Sequence, residues 1–108
     1  MNSKNVTPLP FVLNDANFLK RLRAIASDSS RVVLVGHAKK RMRERKINFG
    51  QVLSCLQKGT ISEPAHLSMH GDWKATVTHR CAGDSVSVAV ALEKLNDGDY
   101  CLVVTVMK

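Results

Sequence analysis

With 108 residues, 44% of them hydrophobic but only 5% aromatic, the chain fits one compact domain with an aliphatic core and leaves no room for a second. No stretch approaches the ~20 apolar residues of a membrane span, and 1–10 lack the basic-then-apolar layout of a secretion signal, so a cytoplasmic protein without a membrane partner is expected. The net charge of +7, from 16 Lys and Arg against 9 Asp and Glu, implies an anionic partner.

Residues 1–13 carry Pro8 and Pro10 and no periodicity, which reads as a flexible arm ahead of a single domain over 14–108. Asn14 or Asp15 can cap a helix in which Phe18, Leu19, Leu22, Ile25 and Ala26 form one apolar stripe, with Asp28, Ser29 and Ser30 ending it near 28. Lys20, Arg21 and Arg23 lie off that stripe. The β-branched stretch 31–36 is a short buried strand. Helix formers follow over 37–46. Asn48 is then a second N-cap with Gln51 at N3, a capping box, and Phe49, Val52, Leu53 and Leu56 recur at helical spacing up to Gly59, which suits the C′ position. Residues 61–68 are a weak edge strand interrupted by Pro64.

Stretches 73–82 and 85–95 flank Gly83-Asp84, whose leading glycine suits a type II′ hairpin turn. A second turn at 96–99 leads into 100–107. Setting Ala82 opposite Ser85 places Trp73, Ala75, Val77, His79 and Cys81 with Val86, Val88, Val90 and Leu92 on one greasy face. Lys74, Thr76, Thr78 and Arg80 then share the other face with Ser87, Ala89, Ala91 and Glu93. A slip of one residue would mix the two sets. The expected fold class is α+β: a twisted antiparallel sheet of four or five strands with helices packed on one face.

Cys55, Cys81 and Cys101 are an odd set without metal spacing and read as small buried hydrophobes. His66 and His70 stand four apart, but Pro64 and Gly71 argue against a helix that would aim both at one metal. Neither a metal nor a cofactor is expected.

The most informative segment is His37-Ala-Lys-Lys-Arg-Met-Arg-Glu-Arg45. On a helix turning about 100° per residue, Ala38 and Met42 face the core, and Lys39, Lys40, Arg43 and Lys46 face solvent. His37, Arg41, Glu44 and Arg45 run along the border, Arg45 closest to the buried side. The pattern H-A-x-x-R-M-x-x-R, opening a helix after a short strand, resembles the signature of a family of small bacterial domains of unknown function. Ile47, the helix through Gly59 and the strands ending in Leu-Val-Val-Thr-Val fit it too, over about 31–107. That family is similar to the RelE/ParE-like toxins and to barnase-, colicin- and RelE-type ribonucleases. Met107 stands where its members often end in an aromatic residue, and the helix at 14–28 lies outside the signature, where a partner is one reading.

The resemblance implies a RelE-like fold and a metal-independent ribonuclease toxin of a toxin–antitoxin pair, with RNA (ribosome-associated or free) and an acidic antitoxin as partners. The alternative is a non-enzymatic toxin or an RNA- or ribosome-binding module of the same fold. A third reading makes the basic helix a docking surface for an acidic protein. Metal-free RNA cleavage needs a base, an acid and cations for the charge that gathers on phosphorus. His37 fits the base or acid, since histidine titrates near working pH, and Arg41 and Arg45 fit a phosphate clamp. Lys39, Lys40, Arg43, Lys46, Lys74 and Arg80 fit RNA contacts. Plainer readings stand beside each. His37 can cap its helix, and Arg41 and Arg45 can pair with Glu44, Glu63 or the chain end. Lys74 can pair with Glu93 across strands, and the outer cations can be a solvated face. His79 reads as a hydrogen-bonded core histidine and Trp73 as core.

Overall fold

The computed structural model describes residues 14–69, 71–81, 83–95 and 98–108, with Cys81 and Leu95 described in backbone only. The arm expected over 1–13 lies outside the described residues, as do His70, Ala82 and the 96–97 part of the second turn.

The first helix, α1 (Asp15–Ala26), starts where Asn14 Oδ1 accepts the Asn17 N–H at 2.8 Å, and it buries Phe18, Leu22, Ile25 and Ala26. Asp28 ends the segment by capping a 3-10 turn, Ser29–Arg31. Hydrogen bonds from the Ser30 hydroxyl and the Ser30 amide, with Arg31 nearby, hold the Asp28 carboxyl below the usual carboxylate range. Strand β1 (Val32–Leu34) leads into α2 (Gly36–Arg45), and the capping box of Asn48 and Gln51 forms at the start of α3 (Phe49–Lys58). Four strands follow: β2 (Thr60–Leu67), β3 (Trp73–Cys81), β4 (Asp84–Leu95) and β5 (Gly98–Met107).

The sheet order is β1-β5-β4-β3-β2. Strands β2 to β5 form an antiparallel meander, and β1 corrects the expectation of a wholly antiparallel sheet by adding a parallel edge beside β5, pairing Val32 with Cys101 and Leu34 with Val103. The sheet is therefore mixed. Pro64 is tolerated because β2 is the opposite edge, and the β2–β3 register shifts on either side of Glu63.

The β3–β4 hairpin pairs Cys81 with Asp84 and His79 with Val86. This corrects the expected register by two residues and places Gly83, at φ 86°, second in the turn instead of first. A shift of two leaves every side chain on its expected face. The buried face accordingly carries Ala75, Val77, Val86, Val88 and Val90, joined by Phe18, Leu22, Val52, Cys55, Leu56, Cys101, Val103 and Val106, with Met42, Leu53, Trp73 and Leu92 packed against them. Thr76, Thr78 and Ala89 lie on the opposite face. Along β5, Thr105 faces Ala89 of β4 while Val103 faces Val90, so Val104 is left over as a bulge. The bulge lets Val106 reach the same buried face as Cys101 and Val103.

Two thiols sit in this core. The Cys55 sulfur lies 3.4 Å from the carbonyls of Val77 and Val86. Burial pushes its pKa up to about 12, and that of Cys101 up to about 11. Gly59 ends α3 at φ −72°, outside the left-handed region that a C′ glycine would use. Its need is spatial: a Cβ there would come within 2.5 Å of the Cys55 carbonyl oxygen and 2.9 Å of the Thr78 carbonyl oxygen.

Candidate nucleic-acid interface

Helix α2 packs mainly against β5. Of its ten residues only Ala38 is buried, with Met42 half-buried beside it. His37, Lys39, Lys40, Arg43, Glu44 and Arg45 are exposed, as is Lys46 just beyond, and Arg41 is half-buried. The result is a helix seated on one small side chain, with a dense cationic surface around the rest.

The helix stops by a Schellman arrangement. The Ile47 N–H reaches the Met42 carbonyl at 2.9 Å and the Lys46 N–H the Arg43 carbonyl at 3.4 Å, while Ile47 buries itself after the turn. The residue that turns left-handed is Lys46, at φ 56°, the one non-glycine with positive φ among the described residues. Glycine is the usual occupant, and an L side chain there is strained by about 1–2 kcal/mol.

Val35 is the N-cap of α2 and makes no side-chain capping bond, so His37, one residue inside the helix, does not cap it. Arg41 does pair with Glu44, at 3.4 Å along its own helix. The pair is about 40% exposed on each side, a setting in which an ion pair contributes little. Glu63 is occupied elsewhere, accepting from Thr76 Oγ1 at 2.6 Å. Arg45 is exposed, a correction to its expected place nearest the buried side, because the chain leaves the helix axis at Lys46 immediately afterwards.

Lys74 and Arg80 lie on the open face of β3, with β4 and β5 between them and β1. At about 4.8 Å per strand, β3 stands roughly 14 Å from the edge that leads into α2, so the sheet does not draw these two cations into the His37 and Arg41 cluster. Lys74 faces Ala91, and Glu93 faces Tyr100, so the expected cross-strand ion pair does not form. The two-residue change in register is the cause. His79 is also corrected: it is half-buried, without a side-chain hydrogen bond among the described residues.

Cavities of about 300 Å³ indent the surface among the described residues, two of them beside the sheet. One lies between α1 and the sheet, lined by residues including Arg21, Trp73, Glu93 and Asp99. The other, about 310 Å³, lies between the first turn of α3 and the β3–β4 hairpin, lined by Asn48, Gly50, Gln51, Ser54, His79 and Val86. Sequence reasoning missed the second because Ser54 and His79 are 25 positions apart and share no motif; the signal was His79 standing among aliphatic residues on the greasy face. Among the described residues no group of His, Cys, Asp or Glu is placed to hold a metal ion, and no helix is long and apolar enough to cross a membrane.

The model of the DUF4258 family, a domain of unknown function, matches residues 34–108, which run from the end of β1 through α2, α3 and the whole meander. The chain belongs to this family. No curated protein and no solved structure matches it. The DUF4258 match leaves out α1 and most of β1, although both are integral to the fold.

Proposed function

We propose that this DUF4258 chain is an RNA-directed toxin domain of the RelE/ParE-like kind, a metal-independent endoribonuclease whose strand-contacting element is α2. The observation that carries the reading is the exposure of Lys39, Lys40, Arg43, Arg45 and Lys46 around a helix that contributes one buried residue. Cations along a helix are often explained by ion pairs that hold a fold together, yet among the described residues none of these five has an acidic partner, and on α2 only Arg41 has one, in Glu44. Surface of this kind suits a polyanion.

In this reading His37 and Arg41, one turn apart on the same side of α2, meet one scissile phosphate. The imidazole takes the proton of the 2′-hydroxyl. The 2′-oxygen attacks the adjacent phosphorus, and the bond to the 5′-oxygen breaks, giving a 2′,3′-cyclic phosphate. The imidazolium or water returns a proton to the leaving oxygen. Arg41, released from Glu44, balances the charge on the phosphoryl oxygens, and Arg45 assists or orients. An acidic antitoxin would compete for the same cations.

A second reading, a non-enzymatic RNA- or ribosome-binding toxin, is favoured by one observation: His37 is exposed, and neither of the two cavities described above is lined by a residue of α2. Incubating the purified chain with total RNA in EDTA separates the two. The nuclease reading expects fragments ending in cyclic phosphate, with His37→Ala slower by about 10²–10⁴-fold and melting unchanged. RNA retained intact by a folded protein supports the binding reading, and failure to bind RNA at low salt overturns both.

A further inference from the structure

The cavity between the first turn of α3 and the β3–β4 hairpin has no part in the reading above. Its volume, about 310 Å³, is at the lower end of small-molecule sites, roughly 300–1,000 Å³, so it suits one ring system better than a whole nucleotide. Asn48 and Gln51 line it, with their side-chain oxygens already accepting from each other's backbone N–H in the capping box, Asn48 Oδ1 at 2.8 Å and Gln51 Oε1 at 2.9 Å. Ser54 and His79 are different. Both are half-buried, both line the cavity, and neither side chain has a hydrogen-bond partner among the described residues. Half-buried polar groups on a concave surface that are not engaged within the protein are available to a ligand, so two of them facing one space make it receptive to a ligand with donors and acceptors. Val86 supplies an apolar wall, and Gly50 leaves bare backbone, with only Asn48 Oδ1 near the position a Cβ would take, at 3.2 Å.

An apolar wall, a planar imidazole and a hydroxyl describe a slot for a flat heteroaromatic ring. Position along the chain narrows the choice. The exposed, left-handed Lys46 stands two residues before Asn48, so the cation that ends the α2 segment lies within roughly 7 Å, backbone to backbone, of one residue that lines the cavity. We propose that this cavity accepts one unstacked nucleobase of a single-stranded RNA whose phosphates α2 holds, a proposal that rests on the RNA reading of α2. The His79 ring stacks on the base, and the Ser54 hydroxyl meets its edge, the usual way in which proteins read splayed-out RNA bases. In this arrangement α2 supplies strength of binding and the cavity supplies choice among bases.

Titration of the intact chain with each nucleoside 5′-monophosphate and with ribose 5-phosphate, following the imidazole proton resonances, tests this directly. At least one nucleotide is expected to shift His79 while ribose 5-phosphate leaves it unmoved, and both classes are expected to shift His37. No response of His79 to any nucleotide, or an equal response to ribose 5-phosphate, overturns the proposal. In a second measurement, Ser54→Ala and His79→Gln are expected to weaken a short single-stranded RNA roughly tenfold and to leave an abasic oligomer of equal length unchanged. If the unaltered protein binds RNA and abasic oligomer equally, the cavity proposal fails and the α2 reading stands. If it binds neither, the α2 reading fails, and the proposal as stated fails with it. Should either variant melt early, the titration of the unaltered chain still decides.

Discussion

Helix α1 buries Phe18, Leu22, Ile25 and Ala26, whereas α2, nearly as long and more basic, buries only Ala38. Among the described residues, three long-range hydrogen bonds tie α1 to the rest of the fold: Arg23 Nη2 donates to the Gly59 carbonyl at 2.6 Å, Gln57 Nε2 to the Ala26 carbonyl at 2.9 Å, and the Ala65 N–H to Asp15 Oδ1 at 2.8 Å. No side chain of α2 makes a hydrogen bond outside its own helix among the described residues. The DUF4258 match excludes the first helix and includes the second. What recurs across a family and what holds one member together are therefore separate questions. In this chain the recurrent helix has the smaller share in the core, which leaves its surface free for a partner.

The largest expected effect follows from removing α1. A chain starting at residue 32, close to the stretch that matches the family, loses four buried residues and uncovers Leu56 and the sheet beneath. It should show no cooperative melt by circular dichroism. A cooperative transition would mean that α1 decorates the fold and does not complete it. Within α1, Phe18→Ala should lower stability by about 3–5 kcal/mol in urea titration, the range for a fully buried Phe.

The core that α1 closes also predicts alkaline sensitivity. Cys55 and Cys101 have folded pKa values of about 12 and 11, raised by burial above the ordinary 9.0. Each therefore favours the folded state fully below pH 9.0, and that contribution is lost as pH rises through the folded value. Stability should fall by up to about 1.4 kcal/mol per pH unit for each thiol, from pH 9.0 to about 11 for Cys101 and to about 12 for Cys55. Replacing Cys55 by Ala should remove its share of the slope; an unchanged slope would contradict the burial.

Smaller effects are expected in α2. Lys46→Gly should raise stability by about 0.5–1 kcal/mol by relieving the left-handed strain, while weakening RNA binding; a loss of stability would deny the strain. Lys39→Gln, Lys40→Gln and Arg43→Gln together should move the melting midpoint least of all. Binding of single-stranded RNA through ~4 phosphates gives a log–log salt slope of roughly −3, and each contact removed should flatten it by about 0.7. If the triple variant unfolds, the contrast between the two helices collapses; if its slope is unchanged, α2 is not the RNA surface.

Much of the architecture was legible because strong local signals agreed. The Phe18, Leu22, Ile25 stripe, the Asn48 and Gln51 capping box and the alternation through β3 and β4 each have a period that only one element satisfies. The parallel partner of β1 was not legible, since Val32, Val33 and Leu34 are apolar on both sides and name no neighbour. The bulge at Val104 was hidden in the same way, inside an unbroken apolar run. The hairpin erred by two residues because Gly83 serves the turn in either position, and this small error carried Lys74 from Glu93 to Ala91. For the candidate site, the sequence exposed the cations of α2 correctly but misjudged Arg45, whose position depends on the turn at Lys46. The cavity at Ser54 and His79 depends on how α3 settles over β3, which no spacing encodes.

The parallel strand has a consequence for how the molecule comes into being. Residues 32–34 wait beside no partner until residues 101–103 exist, because their only neighbour in the described sheet is β5. On a ribosome, α1, α2 and α3 emerge well before the strand that seats α2 and completes the face beneath α1. During that interval Val32 and Leu34 remain without their sheet partner, and contacts so distant in sequence form slowly. The basic surface of α2 is then displayed on a nascent chain before the core can close. Assembly of the finished domain is thus timed by its last strand, and substitutions in 101–106 should delay folding as well as weaken the product.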